Sequence, residues 1–242
     1  MSKTVRALLD SIGVPRRKTA ANRGVRQLLR GLERFGVDLV LDVGANVGQF
    51  AREIRAFGFA GRVVSFEPLG DAHARLVETA ARDGAWQVHP RCAIGDRDGE
   101  VAINVSANSV SSSLLPMTGA HVGAAGASAY VGRETVGLFR LDTVAKGYLA
   151  AARNPFLKID TQGFEWQVLD GAAATLPRLR GVLCELSLVE LYEGQHLWLD
   201  VIQRLERSGF TLWNLQPGFA DPRDGRTLQL DAIFFRSDTG VV

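Results

Sequence analysis

Cysteine and histidine are scarce in this chain, with two and four among 242 residues. Cys92 and Cys184 are too few for a disulfide framework or a CxxC metal site. Both stand in apolar, strand-like stretches, where a small buried thiol is the ordinary state. No GxSxG elbow and no Ser/His/Asp order points to a hydrolase. No apolar run approaches the roughly 18 residues of a membrane span. Leu8-Leu9-Asp10-Ser11-Ile12 is too short and interrupted for a signal peptide, so a soluble, reduced, cytoplasmic protein is expected. Internal repeats are absent. The net charge of +2 is too small to argue for a nucleic-acid partner.

What is present is ample core material, 46% hydrophobic against 22% charged residues, and a lopsided charge. Residues 1–34 hold nine Lys/Arg and two Asp/Glu, or +7, and the other 208 hold 19 and 24, or −5. This N-terminal arm, 1–37, reads as two helices. Val5, Leu8, Leu9 and Ile12 share one helical face; Val25, Leu28, Leu29, Leu32 and Phe35 share another, and Pro15 separates the two. A solvated basic face is the plain reading, and peripheral contact with an anionic membrane the alternative.

From residue 38 to 242 short apolar strands alternate with amphipathic helices. Strands are expected at 39–43, 62–66, 86–92, 100–106, 156–160 and 181–186, with helices at 50–57, 71–82, 164–176 and 197–208. Segments 210–214 and 228–235 read as a closing antiparallel pair. The order predicts a single α/β domain with a mainly parallel sheet and helices on both faces. Residues 107–132, rich in Ser, Ala and Gly, read as a mobile lid or substrate loop.

The sharpest local signal is Asp42-Val43-Gly44-Ala45-Asn46-Val47-Gly48, where the first strand turns into the first helix. Gly44 and Gly48 permit a tight turn, and Asp42 is an acceptor at the strand tip. Asn46 replaces the second glycine of the dinucleotide GxGxxG pattern. Phe66-Glu67-Pro68 ends the second strand, and Glu67, 19 positions after Gly48, can accept ribose hydroxyls.

These segments, with Ala93-Ile94-Gly95-Asp96, resemble the class I S-adenosylmethionine-dependent methyltransferases. Ser111-Ser112-Ser113-Leu114, Arg140-Leu141-Asp142-Thr143-Val144 and Leu157-Lys158-Ile159-Asp160-Thr161-Gln162-Gly163-Phe164-Glu165 narrow the resemblance to the FkbM methyltransferases, over residues 38–236. The resemblance implies a Rossmann-like domain, S-adenosylmethionine as cofactor and transfer to a hydroxyl, the acceptors it suggests being deoxysugars of glycolipids, polysaccharides or glycosylated natural products. It implies that Gly44, Asn46 and Gly48 surround the methionine part, Asp42 supports the turn, Glu67 holds the ribose, and Cys92 and Ala93 border the adenine. Position 162, commonly Glu in the family, is Gln here.

Asp160 and Glu185 end successive strands and are expected at the same sheet edge. They read as base or orienting groups, or, with Glu165, as ligands of Mg²⁺. His121, in the 107–132 loop, is a further base candidate, with His196 behind it. A nicotinamide-dependent oxidoreductase and a non-catalytic cofactor-binding module stand as rival readings.

Overall fold

A computed structural model of the chain describes residues 20–236. The amphipathic stretch around Leu8 and the break at Pro15 lie outside the described residues. In chain order the elements are α1 (Ala20–Arg34), β1 (Leu39–Val43), α2 (Gln49–Ala56), β2 (Arg62–Phe66), α3 (Gly70–Ala80), β3 (Trp86–Val88), β4 (Ala93–Gly95), β5 (Gly99–Ser106), α4 (Gly119–Ala124), β6 (Tyr130–Arg140), α5 (Leu141–Val144), α6 (Lys146–Leu149), β7 (Pro155–Ile159), α7 (Glu165–Asp170), β8 (Gly181–Ser187), α8 (Trp198–Arg207), β9 (Thr211–Pro217) and β10 (Gln229–Phe235).

Seven strands form one sheet in the order β3-β2-β1-β7-β8-β10-β9. The first five run parallel, and β10 lies antiparallel between β8 and β9. Five-residue runs such as β1 and β7 are buried throughout, as strands covered on both faces must be. One face packs Val40, Val63, Phe156 and Ile233 against α1, α2 and α3. The other packs Leu41, Leu157, Val182 and Phe234 against α5, α6, α7 and α8. A small second sheet, β4-β6-β5, stands beside the first.

The chain winds outward from β1 to β3 and returns to β7 on the other side of β1. Loops therefore diverge at the carboxyl ends of β1 and β7, which is where open α/β sheets bind ligands.

Three expectations differ from the structure. The strand expected at 86–92 stops at Val88, because Pro90 has no N–H for a ladder and Ala93–Gly95 pairs with β6 instead. The helix expected at 164–176 ends at Asp170, where Gly171 packs on the Gly95 carbonyl so tightly that a Cβ would lie 1.8 Å from it. The segment 107–132 contains α4, a 3₁₀ turn at Gly126–Ser128 and the first residues of β6. Strand β6 carries no apolar signal in its first half, which is largely solvent-facing and holds one glycine and two charges.

Candidate active site

The turn after β1 is fixed from both sides. Gly44 and Ala45 amides donate to the Phe66 carbonyl at the end of β2, and the Asp160 amide donates to Val43 at the end of β1. Gly44 has φ 76°, and a Cβ there would meet the Asp160 carbonyl oxygen at 1.8 Å. No other residue type fits. Asn46, also left-handed at φ 47°, sits at the turn's apex. Gly48, at φ 85°, is turned toward the Trp86 ring 2.6 Å from where a Cβ would stand, so it serves helix packing and does not line the cavity.

A polar row crosses the sheet beneath this turn. Trp86 Nε1 donates to Ser65 Oγ at 3.0 Å, and Ser65 Oγ donates to Asp42 Oδ2 at 3.0 Å. Asp42 Oδ1 lies 3.2 Å from Lys158 Nζ, its register neighbour on β7. Lys158 Nζ donates in turn to the Gly44 carbonyl at 2.8 Å. Burial alone lowers an ammonium's pKa, but the charges of Asp42 and Asp160 outweigh it here and keep Lys158 raised and protonated. Asp42 is fully buried and turned to Ser65 and Lys158, so it is not the ligand acceptor expected at the strand tip. It holds the lysine that holds the turn.

Above the turn opens a cavity of about 310 Å³, within the range of small-molecule sites. One end is apolar: Leu69, Ala93, Ile103 and Phe164 form one packed cluster, and Cys92 and Ile94 join its lining. Burial pushes the Cys92 thiol up to about 12, so it is inert there. Glu67 marks the boundary of this end. It is 4% exposed, and its carboxylate accepts from Asn46 N at 2.7 Å and Leu69 N at 2.9 Å. Burial pushes its pKa up to about 7, against the downward pull of those two amides.

The other end is acidic. Asp160, Asp231, Glu53 and the Lys158 side chain line it. Asp160 Oδ1 accepts from Gln162 Nε2 at 2.8 Å, and Oδ2 lies 3.5 Å from Lys158. The same Gln162 Nε2 donates to Glu185 Oε2 at 2.7 Å, and Gln229 Nε2 reaches that oxygen at 2.8 Å. Tyr192 OH donates to Gln162 Oε1 at 2.8 Å, which fixes which way the amide faces. Gln162 therefore joins the two expected acids, from a left-handed backbone at φ 56°. Glu185 stands behind it and does not line the cavity; burial and the nearby Asp160 raise its pKa well above the carboxylate range.

Three other expected residues are placed elsewhere. His121 is 3% exposed and packed between Tyr192 and Phe219, away from the cavity lining; its ring fills an apolar gap, and burial lowers its pKa. Glu165 curls back to accept from Thr161 N and Gly163 N, capping its own loop. The Mg²⁺ reading thus loses its third acid, and Gln162 occupies the contact between the other two. Among the described residues no group of three His, Cys, Asp or Glu could hold a metal ion. His196 stacks on Trp166 at 3.8 Å, outside the cavity.

Sequence reading missed Lys158 and Asp231 as site residues. Each was detectable as a charged residue inside an otherwise apolar strand, where burial demands a partner or a purpose.

The strand order and the glycine turn define a class I methyltransferase fold. The chain belongs to the FkbM methyltransferase family: the Methyltransferase FkbM domain matches residues 42–212. This family is S-adenosylmethionine-dependent, which sets the nicotinamide alternative aside. No curated protein matches the chain. Among solved structures it is similar to magnesium protoporphyrin IX methyltransferase of Synechocystis PCC 6803, with 10% identity over 98% of this chain and 92% of that one and a TM-score of 0.48. It is also similar to an RNA methyltransferase candidate from Pyrococcus horikoshii (12% identity, 90% and 86% coverage, TM-score 0.46). Aeropyrum pernix fibrillarin gives 12% identity, 81% and 66% coverage and a TM-score of 0.44.

Proposed function

We propose that this protein transfers the methyl group of S-adenosylmethionine to a hydroxyl oxygen of a sugar-containing acceptor. The observation that carries the reading is the acidic end of the cavity. Its Asp160 and Asp231 carboxylates are hydrogen-bond acceptors facing open space, the complement of a hydroxyl donor. Among the described residues no histidine or reactive thiol lines that end.

S-adenosylmethionine fits the residues present. The apolar end, with Cys92, Ala93 and Phe164, suits a flat adenine; Glu67, in the same lining, can accept from ribose hydroxyls; Gly44 and Asn46 present backbone to the methionine part. When bound, it supplies an electrophilic methyl on a sulfonium. Asp160 then orients the acceptor hydroxyl, held in place by Gln162 and Lys158. Positioning of this kind supplies much of the acceleration of an in-line displacement. The segment 107–132 closes over the acceptor as a lid and excludes water; Ser109 Oγ already accepts from Asn46 Nδ2 at 3.2 Å.

Exposed Arg23, Arg26 and Arg30 on α1 suit an acceptor presented at an anionic lipid surface. Two buried, unpaired cysteines suit a cytoplasmic setting. Titration calorimetry with S-adenosylmethionine and NAD(H), followed by a labelled-methyl assay on methyl glycosides including methyl rhamnoside and methyl glucoside, tests the reading. Binding of S-adenosylmethionine with transfer to a glycoside oxygen is expected. Transfer confined to nitrogen or sulfur acceptors defeats it.

A further inference from the structure

Three carboxylates reach the acidic edge from adjacent strands, and two of them are already engaged. Asp160, ending β7, takes Gln162 and faces Lys158. Glu185, on β8, takes Gln162 and Gln229. Asp231 is different. It lies opposite Glu185 in the antiparallel ladder and opposite Gln216 on its other side. Its side chain lines the cavity, yet it receives no hydrogen bond and no ion pair from any described residue.

Because β10 runs antiparallel, its first residues lie at the carboxyl edge of the parallel strands. Asp231 is therefore at the mouth of the same crevice as Gly44 and Asp160, on the side away from Glu67 and the apolar end. Glu53 of α2 also lines this end with no side-chain partner among the described residues, but it is exposed, so water rather than an acceptor meets it first.

We propose that Asp231 is the base that takes the proton from the acceptor hydroxyl, while Asp160 orients that hydroxyl. This rests on the oxygen-methylation reading above. As the oxygen–carbon bond forms, the carbon–sulfur bond breaks with its electron pair left on sulfur, and the hydroxyl proton passes to a carboxylate oxygen of Asp231. The proton leaves to solvent after the methyl ether departs.

The surroundings suit the role. Burial, then Asp160 and Glu53, raise the Asp231 carboxyl to about 6, with Lys158 opposing; Glu185 is the acid across the ladder, and Gln216 is neutral. A base poised there is ionised at neutral pH yet stronger than an ordinary aspartate.

The test uses the full chain, labelled S-adenosylmethionine and whichever methyl glycoside accepts the label. Asp231→Asn should lower kcat by about 10²-fold or more, the scale of general-base assistance, while still binding S-adenosylmethionine. The wild-type rate should rise through pH 6, and this limb should vanish in Asp231→Asn but persist in Asp231→Glu. Independently of turnover, ¹³C-labelled aspartate gives one carboxyl resonance that Asp231→Asn removes. It should titrate near pH 6 and move when the glycoside is added to protein holding S-adenosylhomocysteine. Normal kcat with the limb intact, a resonance indifferent to the glycoside, or loss of S-adenosylmethionine binding in a folded Asp231→Asn protein overturns the assignment. Wild-type protein that binds S-adenosylmethionine but methylates no hydroxyl instead overturns the underlying reading.

Discussion

Replacing Gln162 by glutamate changes one atom type at the most crowded polar point of the site. The native amide gives its hydrogens to Asp160 at 2.8 Å and Glu185 at 2.7 Å. The introduced carboxylate has none to give. Fully charged, it would face Asp160 at about 3 Å with a repulsion on the order of 5 kcal/mol at an effective dielectric near 20, beside a Glu185 whose pKa burial has already raised well above the carboxylate range. Taking up one proton is cheaper: about 1.4 kcal/mol for each pH unit above 4.3, or roughly 3.7 kcal/mol at pH 7. One proton restores one of the two hydrogen bonds, and the other is lost at a cost of about 1–3 kcal/mol. The expected deficit is therefore about 5–7 kcal/mol at pH 7.

Its pH dependence identifies the cause. The introduced group has a folded-state pKa raised above its unfolded value, so its penalty is absent below about pH 4.3 and grows as pH rises. Urea unfolding of Gln162→Glu and wild type, followed by tryptophan fluorescence at pH 5 and pH 7, should show the deficit widening by about 2.7 kcal/mol. Deficits equal within about 0.5 kcal/mol would mean that position 162 does not join the two acids, and the account of the acidic end would fail.

Four further outcomes are expected. Lys158→Met strips the fully buried Asp42 of its cation and should cost about 3–5 kcal/mol of stability; a loss under about 1 kcal/mol by urea unfolding would show Asp42 to be otherwise satisfied. Gly44→Val drives a side chain into the Asp160 carbonyl and should abolish S-adenosylmethionine binding in calorimetry, whereas retained binding would contradict the turn. Glu67→Ala should weaken that binding by roughly 1.5–3 kcal/mol, and wild-type affinity should rise with pH through about 7 as Glu67 ionises; an unchanged affinity removes Glu67 from the ribose. Hydrogen exchange across residues 107–132 should be fast in the free protein and slow with cofactor and acceptor bound, and uniformly slow exchange in the free protein would mark fixed structure instead of a lid.

Most of the parallel sheet was legible because its strands are short, apolar and closed by glycines or acids. Leu39–Val43, Arg62–Phe66 and Gly181–Leu186 could hardly be anything else between amphipathic helices. Strand β6 was not legible: its ladder with β5 runs half in water, so no apolar period betrays Arg133, Glu134 and Thr135. That Gly44, Asn46 and Glu67 would share one cavity was legible in local chemistry, since a glycine turn and a strand-end glutamate stand at neighbouring strand ends. The acidic side was not, because it depends on register. Asp42 meets Lys158, and Glu185 meets Asp231, only once β1 pairs β7 and β10 inserts beside β8. His121 misled for the opposite reason: a histidine in a loop invites a chemical role, but the loop folds it against Tyr192 and Phe219.

The difference between glutamine and glutamate at position 162 also bears on how this chain manages its own charge. Two carboxylates ending neighbouring strands repel unless a cation, a proton or a donor stands between them. With an acid at 162, as is common in FkbM methyltransferases, three such groups would converge and one of the first two remedies would be needed. Here the donor is built in. Gln162 serves both acids, Tyr192 orients it, and Gln229 gives Glu185 a second donor. Because those hydrogen bonds are spent inside the wall, Glu185 is a support rather than a reactant. Asp160 retains a face to the cavity, and Asp231, which lines it too, takes no hydrogen bond or ion pair from any described residue. Under the proposed oxygen methylation, the same substitution leaves Asp160 to position a hydroxyl and Asp231 to deprotonate it.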